Sequence, residues 1–554
     1  STSDDGTASS DKDFEKLPIT EMTFSEYDTS KTVLVQTMED SEVEDEEYLF
    51  LSLYKTYQDA VDDNYDSYSF AYIEDTTSDV GYKYLENPIF KGLSTGILNQ
   101  VGSKDLIENS FPGHTLTEFR NDYAFAAIRE DGSVVTWGDE SAGGVRLNAG
   151  QSGSLENVSK IFSNSKSFAA LLSDGSVSAW GHDKFGGSLG IQSSKLDGNK
   201  DVIDIASTKS AFAALLEDGS VVAWGSSTNG GHIDEVVEKV LNQNKVVEIY
   251  SNISAFAAIT DIGSVITWGN DDSGGESASV ASELDGSVSV VKVYSTGSAF
   301  AAMRVDGSVV TWGNAIDGGA SDDMSLDLNG SIGVVKIAAT TSAFAALRED
   351  GSVVAWGDVN NGGNITSVKD QLTGSTQVTN LYSTDSAFAA LKSDGSVVSW
   401  GNSSKGGNSS SVANSLNGQK EVKEIFSNGS SFVALHADNT ITSWGDENFG
   451  GDSSAVNSVL DGSVPINTIV SNDFGFVALL ANGKAKFWGS TGTSSQEIID
   501  ANLAQADDII AIYANKNAFS ALTSEGDVIS LGETLWGGDS SHLSAELSEV
   551  VDLA

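Results

Sequence analysis

His114, His182, His232, His436 and His542 are the side chains best suited to acid–base work near neutral pH or to holding a transition metal. They lie far apart, and none pairs with another at H-x-x-x-H spacing, so a histidine-based metal centre is not expected. Gly186-Gly187-Ser188-Leu189-Gly190 matches G-x-S-x-G by letter. A nucleophile elbow also needs a strand before the serine, a helix after it, and Asp and His partners downstream, and the segment reads instead as one version of a recurring Gly-Gly loop. The chain has no Cys, which removes thiolate chemistry and disulfide staples. It has no phosphate-binding loop, dinucleotide fingerprint or EF-hand loop. The expectation is a protein that is not an enzyme and carries no cofactor, Ca2+ being the exception. Hard cations prefer oxygen ligands, and Glu39, Asp40, Glu42, Glu44, Asp45, Glu46 and Glu47 form an acidic run that could hold calcium weakly. Asp131, Asp174, Asp218, Asp306, Asp350 and Asp394 could also ligate it, but each precedes Gly, and an Asp-Gly turn needs no metal to explain it.

The 554 residues carry 79 Asp+Glu against 30 Lys+Arg, a formal charge of −49. Binding to phosphate backbones is driven by Lys and Arg releasing counterions, so nucleic acid and anionic membrane surfaces are poor partners for this chain. The same excess keeps a protein soluble, most usefully in saline water where charges are screened within about 8 Å. With 39% apolar residues and ten Trp, wholesale disorder is excluded. No apolar run approaches the roughly 20 residues of a membrane span. The first residue is Ser rather than Met, which reads as a processed chain and favours an extracellular or cell-surface location. Seven N-x-S/T sequons, Asn252 and Asn428 among them, are about what a chain rich in Asn, Ser and Thr holds by chance.

The elements that position these residues come from repetition. Trp-Gly recurs at Trp137, Trp180, Trp224, Trp268, Trp312, Trp356, Trp400, Trp444 and Trp488, at intervals of 43 and then 44 residues, and an altered tenth copy has Leu531-Gly532. Such a period means one supersecondary unit stacked many times. In each copy an apolar run such as Val334-Val335-Lys336-Ile337 precedes Ala343-Phe344-Ala345-Ala346-Leu347, then Asp350-Gly351, then Ser352-Val353-Val354-Ala355-Trp356-Gly357, four variable residues and Gly362-Gly363. Runs this short, rich in Val, Ile, Phe and Trp and joined by Asp-Gly, are strands of a hairpin. Phe344, Ala346, Val354 and Trp356 face one side, and Ala343, Ala345, Leu347, Val353 and Ala355 the other. A sheet apolar on both faces must be sandwiched between neighbours, so the tryptophans are read as core rather than as a ligand platform. After Gly-Gly, apolar pairs at i, i+4 (Val236/Val240, Val280/Leu284, Met324/Leu328, Val368/Leu372, Val412/Leu416, Val456/Leu460, Leu543/Leu547) predict a short helix, capped by Ser277 or Asp452 and stopped by Asp285-Gly286, Asn329-Gly330, Asn417-Gly418 or Asp461-Gly462.

On these residues the chain resembles the regulator-of-chromosome-condensation (RCC-type) repeat family, whose core A-L-x-x-D-G-x-V-x-x-W-G is matched by Ala346-Leu347-Arg348-Glu349-Asp350-Gly351-Ser352-Val353-Val354-Ala355-Trp356-Gly357. The resemblance covers roughly residues 113 to 554. It implies a β-propeller, usually of seven blades, whereas this chain has about ten units, a shorter period and a helix where the family often places a fourth strand. The expected fold is therefore mainly β, built of β-β-β-(short α) units, as a propeller-like ring with more than seven blades or as an open superhelix. Val550-Val551-Asp552-Leu553-Ala554 copies a first strand and then stops. It is expected to complete a degenerate unit near Ser69–Asp75, with pairing to the next molecule as the alternative.

The expected domains are an acidic segment with one strand at Thr32–Thr37 (1–47), a Tyr-rich capping unit (48–112) and ten repeats ending in an extra strand (113–554). Loops on a rigid scaffold are where recognition usually lives. Among the four-residue loops between Trp-Gly and Gly-Gly, Phe185, Ile316 and Phe449 are the candidate partner contacts, and drift at a solvated turn is the plain alternative. The expected function is a non-enzymatic extracellular or cell-surface scaffold with a structural, adhesive or self-assembling role and a protein partner or self-association. A protein-binding propeller is the first alternative. Nucleotide exchange toward a small GTPase, implied by the resemblance alone, is the second.

Overall fold

In a computed structural model, the chain divides into two compact parts, Ser1–Gly96 and Ile97–Ala554. The described residues are 2–3, 34–36, 47–53, 67–73 and 82–84 in the first part, and 119–144, 155–373, 376–490, 508–532, 534–543, 547 and 550–553 in the second. In the first part Thr2–Ser3, Glu47–Leu53 and Ser67–Ile73 form one antiparallel sheet, and Leu34–Gln36 pairs with Tyr82–Tyr84.

The second part is mainly β, and among its described residues the strands form ten three-stranded antiparallel sheets. The sixth sheet is representative. Val334–Ala339 pairs with Ala343–Arg348, which pairs with Val353–Gly357, with Phe344 opposite Trp356. Asp350 Oδ1 accepts from the Ser352 backbone N–H at 2.9 Å and from its hydroxyl at 2.5 Å, closing the hairpin turn. Both sheet faces are buried as the alternation requires. Phe344, Ala346, Val354 and Trp356 pack against the preceding sheet, and Ala343, Ala345, Leu347, Val353 and Ala355 against the following one. Phe344 and Trp356 stack at 5.2 Å, and the indole N–H of Trp356 donates 3.1 Å to the carbonyl of Gly318 in the preceding copy. Gly318 has φ +99°, and a Cβ there would sit 2.6 Å from the Phe344 ring, so only glycine fits this contact.

The first strands of successive sheets lie side by side, and in most copies a serine at the strand's end stitches it to its neighbour. Ser207 Oγ donates to the Ser163 carbonyl (2.8 Å), Ser251 to Ser207 (2.6 Å), Ser427 to Ser383 (2.7 Å) and Ser471 to Ser427 (2.8 Å). The last sheet meets the first through the same contacts. Trp137 donates to Gly537 O at 3.0 Å, Phe125 and Trp137 pack with Tyr513 and Leu522, and Tyr123 meets Trp536 edge-on at 5.9 Å. The ten blades therefore close into a ring with the first strands innermost.

Closure corrects the reading of the C-terminal strand. Val550–Leu553 pairs with Ala124–Arg129, not with Ser69–Asp75, whose strand Ser67–Ile73 pairs with Glu47–Leu53. The strand is not surplus: the first copy begins at its second strand, and the chain's end supplies the missing first one. Phe119 takes the place of the stitching serine, its carbonyl accepting from Ser163 Oγ at 3.0 Å.

The predicted short helix is also corrected in part. Glu235–Leu241 and Lys369–Leu372 are α-helical, but Gly190–Lys195, Ala278–Glu283, Asp322–Met324 and Ser410–Val412 are 3-10 turns. The residue ending several of these segments must bond the third strand, as Leu284 O does to Val265 N and Leu328 O to Val309 N, and this pulls the chain into a tight turn. A single bridge follows at Ser308↔Asn329, Ser396↔Asn417 and Thr440↔Asp461, the rudiment of a fourth strand. Ser277 makes no side-chain cap. The pair Val236/Val240 is wrong for the core, since both are exposed while Leu241 is buried and Val237 packs beside it. Asp234 caps this helix through Val236 N and Val237 N, which sets the register one residue later than the repeat pattern.

Candidate protein interface

Among the described residues the variable loops are fastened before any partner arrives. An Asn or Thr in the turn between first and second strands donates to the carbonyl of the last loop residue: Asn164 to Phe185 (2.6 Å), Thr296 to Asp317 (3.0 Å), Asn428 to Phe449 (2.7 Å) and Asn515 to Trp536 (2.8 Å). The loops and these turns consequently share one end of the ring, the loop face, and the Asp-Gly turns lie at the other. Preorganised loops lose less entropy on binding.

The turns are also bonded to one another from blade to blade. Asp473 N donates to Lys516 O (3.3 Å), Asp122 N to Ser165 O (3.1 Å), Ser165 N to Lys209 O (3.4 Å) and Lys209 N to Ile253 O (3.1 Å), while Asn517 Nδ2 bonds Asp122 O across the closure. Asp473, Lys516, Asp122, Lys166 and Lys209 thus stand in one row spanning blades 9, 10, 1, 2 and 3.

Aromatic side chains gather along this row. Phe185 is half-buried, edge-on to His182 at 5.0 Å, and Lys166 Nζ lies 5.6 Å from its ring centre and 5.4 Å from that of Tyr123. Phe449 is half-buried against Phe474 at 6.0 Å, with Lys405 Nζ 5.3 Å from its ring and 3.2 Å from Asp446. Trp536 is half-buried beside Leu535, which is 77% exposed. The structure thus places Phe185 and Phe449 on one arc. Ile316, though 72% exposed, belongs to blade 5 and stands apart from it. Tyr123, Phe474 and Trp536 escaped the sequence reading because Tyr123 and Phe474 sit in hairpin turns and Trp536 lies in an altered tenth loop without the Trp-Gly register.

The electrostatics of the arc are mixed. Burial pushes the Asp122 carboxyl up against the pull of Lys516 and Lys209. Burial opposes the Lys516 ammonium, but Asp473 at 3.7 Å and Asp122 outweigh it and raise its pKa. Arg120 bridges the first and ninth blades, its Nη1 donating 3.0 Å to the carbonyl of Ser471. In the tenth blade Ala514 ends the first strand where most copies carry the stitching serine.

The remaining candidates are placed as follows. Trp137, Trp224, Trp268, Trp312, Trp356, Trp400, Trp444 and Trp488 are buried between blades, and Trp180 is half-buried in the same position. At the opposite end, Ser133, Ser176, Ser220, Ser308, Ser352 and Ser396 hydroxyls hold the Asp-Gly carboxylates below the usual carboxylate range. In Asp218 the Lys200 ammonium leads and the pKa falls to about 2. Glu39, Asp40, Glu42, Glu44, Asp45 and Glu46 lie outside the described residues, and Glu47 begins a strand. Among the described residues no three His, Asp or Glu side chains come together as a metal site. Gly186 ends a 3-10 turn and Ser188 follows in a loop, with no strand leading into it. Asn252 and Asn428 are buried, each donating to a loop carbonyl, so neither sequon is open to glycosylation in the folded ring. Among the described residues no helix is long and apolar enough to cross a membrane.

No family model matches the chain, and no curated protein matches it. Solved structures to which the chain is similar include the ectodomain of the receptor kinase CR4 from Physcomitrella patens (15% identity, 51% of this chain and 72% of that one, TM-score 0.30). They also include Prp20p from Saccharomyces cerevisiae, described with its binding to Gsp1p and histones (19%, 53% and 74%, TM-score 0.31). The same yeast protein, named there as RCC1 and bound to Kap60, aligns at 13% identity over 65% of this chain and 86% of that one, TM-score 0.30.

Proposed function

We propose that this chain is a non-catalytic recognition ring, secreted or displayed at a cell surface, that grips a protein partner across the arc of its loop face around the closure. The supporting observation is the convergence there of Tyr123, Phe185, Phe449, Phe474 and Trp536 with Lys166 and Lys405 on loops already tied to the scaffold. Half-buried aromatic rings on rigid supports contribute large contact area at small entropic cost, the composition of interface hot spots. The large negative charge suits saline surroundings. A structural, self-assembling role is the weaker reading, because the strand that would have joined another molecule is taken up within the ring at Ala124–Arg129. The reading includes no catalytic group and no cofactor. It reserves weak calcium binding for the Glu39–Glu47 run, and it carries over no residue for nucleotide exchange.

Selecting a random peptide display library on the full-length protein tests this. Enriched sequences are expected to lose binding to a Phe185→Ala/Phe449→Ala variant and to keep it with Ile316→Ala. Enriched binders indifferent to Phe185→Ala/Phe449→Ala would end the recognition reading at this arc.

A further inference from the structure

With 79 acids for 30 bases, a basic side chain on this molecule ordinarily has carboxylates for neighbours. At the centre of the loop face the balance reverses locally. The row across the closure holds Arg120, Lys166, Lys209 and Lys516, four bases, against Asp122 and Asp473, two acids. Asp473 is engaged by Lys516 at 3.7 Å. Lys166 directs its ammonium at the Tyr123 and Phe185 rings, and Lys209 is exposed. Arg120 is exposed to solvent, the Asp473 carboxylate acts on its charge, and among the described residues its side chain's hydrogen bond is the one Nη1 donates to Ser471 O. A guanidinium held by one N–H keeps the rest of its fork for a planar anion.

The row has a second property. One of its bases stands among rings: Tyr123 and Phe185 flank Lys166, and Trp536 meets Tyr123. Acidic loops at Asp139-Glu140 and Asp183 border it. A positive spot inside a negative rim attracts a negatively charged segment only in the register that sets its charges at the centre, which is selection by repulsion as well as by attraction. Phosphate polymers would meet the field of the whole −49 body along their length, whereas a short acidic peptide meets mainly the spot.

We infer that the arc binds an extended acidic polypeptide segment of the partner, with carboxylates on Arg120, Lys166 and Lys209 and apolar or aromatic side chains between Tyr123, Phe185 and Trp536. This rests on the recognition reading above and specifies its ligand. The test uses the full chain and a fluorescein-labelled peptide of alternating Glu and Trp, followed by anisotropy, with the same peptide carrying Gln for Glu as control. The Glu peptide is expected to bind, to weaken as NaCl is raised, and to lose about tenfold or more in affinity with Lys166→Ala/Lys209→Ala, which touches no core residue. Ile316→Ala should leave it unchanged. Equal binding of the Gln peptide, no binding of the Glu peptide, or indifference to the double variant would overturn the inference. So would sedimentation showing that the row is covered by a second copy whose association the same double variant breaks. If display-selected peptides depend on Phe185 and Phe449 but carry no excess of Asp and Glu, the acidic ligand is wrong while the recognition ring stands.

Discussion

At the scale of single residues, the repeat shows what each position must do by what one copy does differently. The second strand ends in Arg129, Leu172, Leu216, Thr260, Arg304, Arg348, Lys392, His436, Leu480 and Thr523. His436 is wholly buried, with Nε2 2.8 Å from Thr442 Oγ1 and Nδ1 without a partner among the described residues. Burial depresses its pKa below the ordinary 6.5, Lys420 adds to this, and Asp438 opposes it. A depressed folded-state pKa means that the unfolded chain binds the proton more readily, so the stability His436 contributes is present above about pH 6.5 and is lost as the pH falls below it. His436→Leu, which gives the side chain that the third and ninth copies carry as Leu216 and Leu480, is expected to flatten the fall in thermal midpoint between about pH 6.5 and 5. An unchanged slope in that range would show that the histidine is not the acid-sensitive group.

At the scale of elements, the three strands were legible because alternation and Asp-Gly turns are local signals, each satisfied by side chains within a few residues. The segment after Gly-Gly was less so. Its i, i+4 pairs located the buried leucines Leu284, Leu328, Leu372 and Leu416 but not the type of turn, which depends on the backbone bond to the third strand. The same pattern misassigned Val236/Val240, because capping by Asp234 shifted the helix against the repeat. Leu241→Ala is expected to destabilise by about 2–4 kcal/mol through the cavity it leaves. Val240→Ala, at a partly solvated site outside the core, should cost well under 1 kcal/mol, about 0.5. Urea unfolding of the two variants checks this, and equal losses would put the helix in the register of the sequence pattern.

At the scale of the whole molecule, closure depends on a strand more than 400 residues from its partner; Val550–Leu553 completes the first blade, and Leu553 and Val550 are buried there. Leu553→Asp should expose the edge of Ala124–Arg129 while leaving distant blades intact, since each blade contacts mainly its neighbours. Hydrogen exchange is expected to rise at Ala124–Arg129 and to stay slow at Ala343–Arg348. Uniform protection would mean that the ring holds without its closing strand. Charge acts at this scale too: with −49 on one body, the thermal midpoint should rise with ionic strength as like-charge repulsion is screened.

The amino-acid sequence by itself determined the repeating strands, the faces they bury and the place of every interblade tryptophan, because each follows from the period-two alternation and from turn chemistry a few residues long. Only the tertiary structure decided that ten blades close, which strand the C-terminal segment joins, and that Phe185 and Phe449 share an arc with Tyr123 and Trp536 while Ile316 does not. Those outcomes depend on the angle accumulated between successive blades, a small rotation repeated around the ring, and no local pattern of residues records its sum.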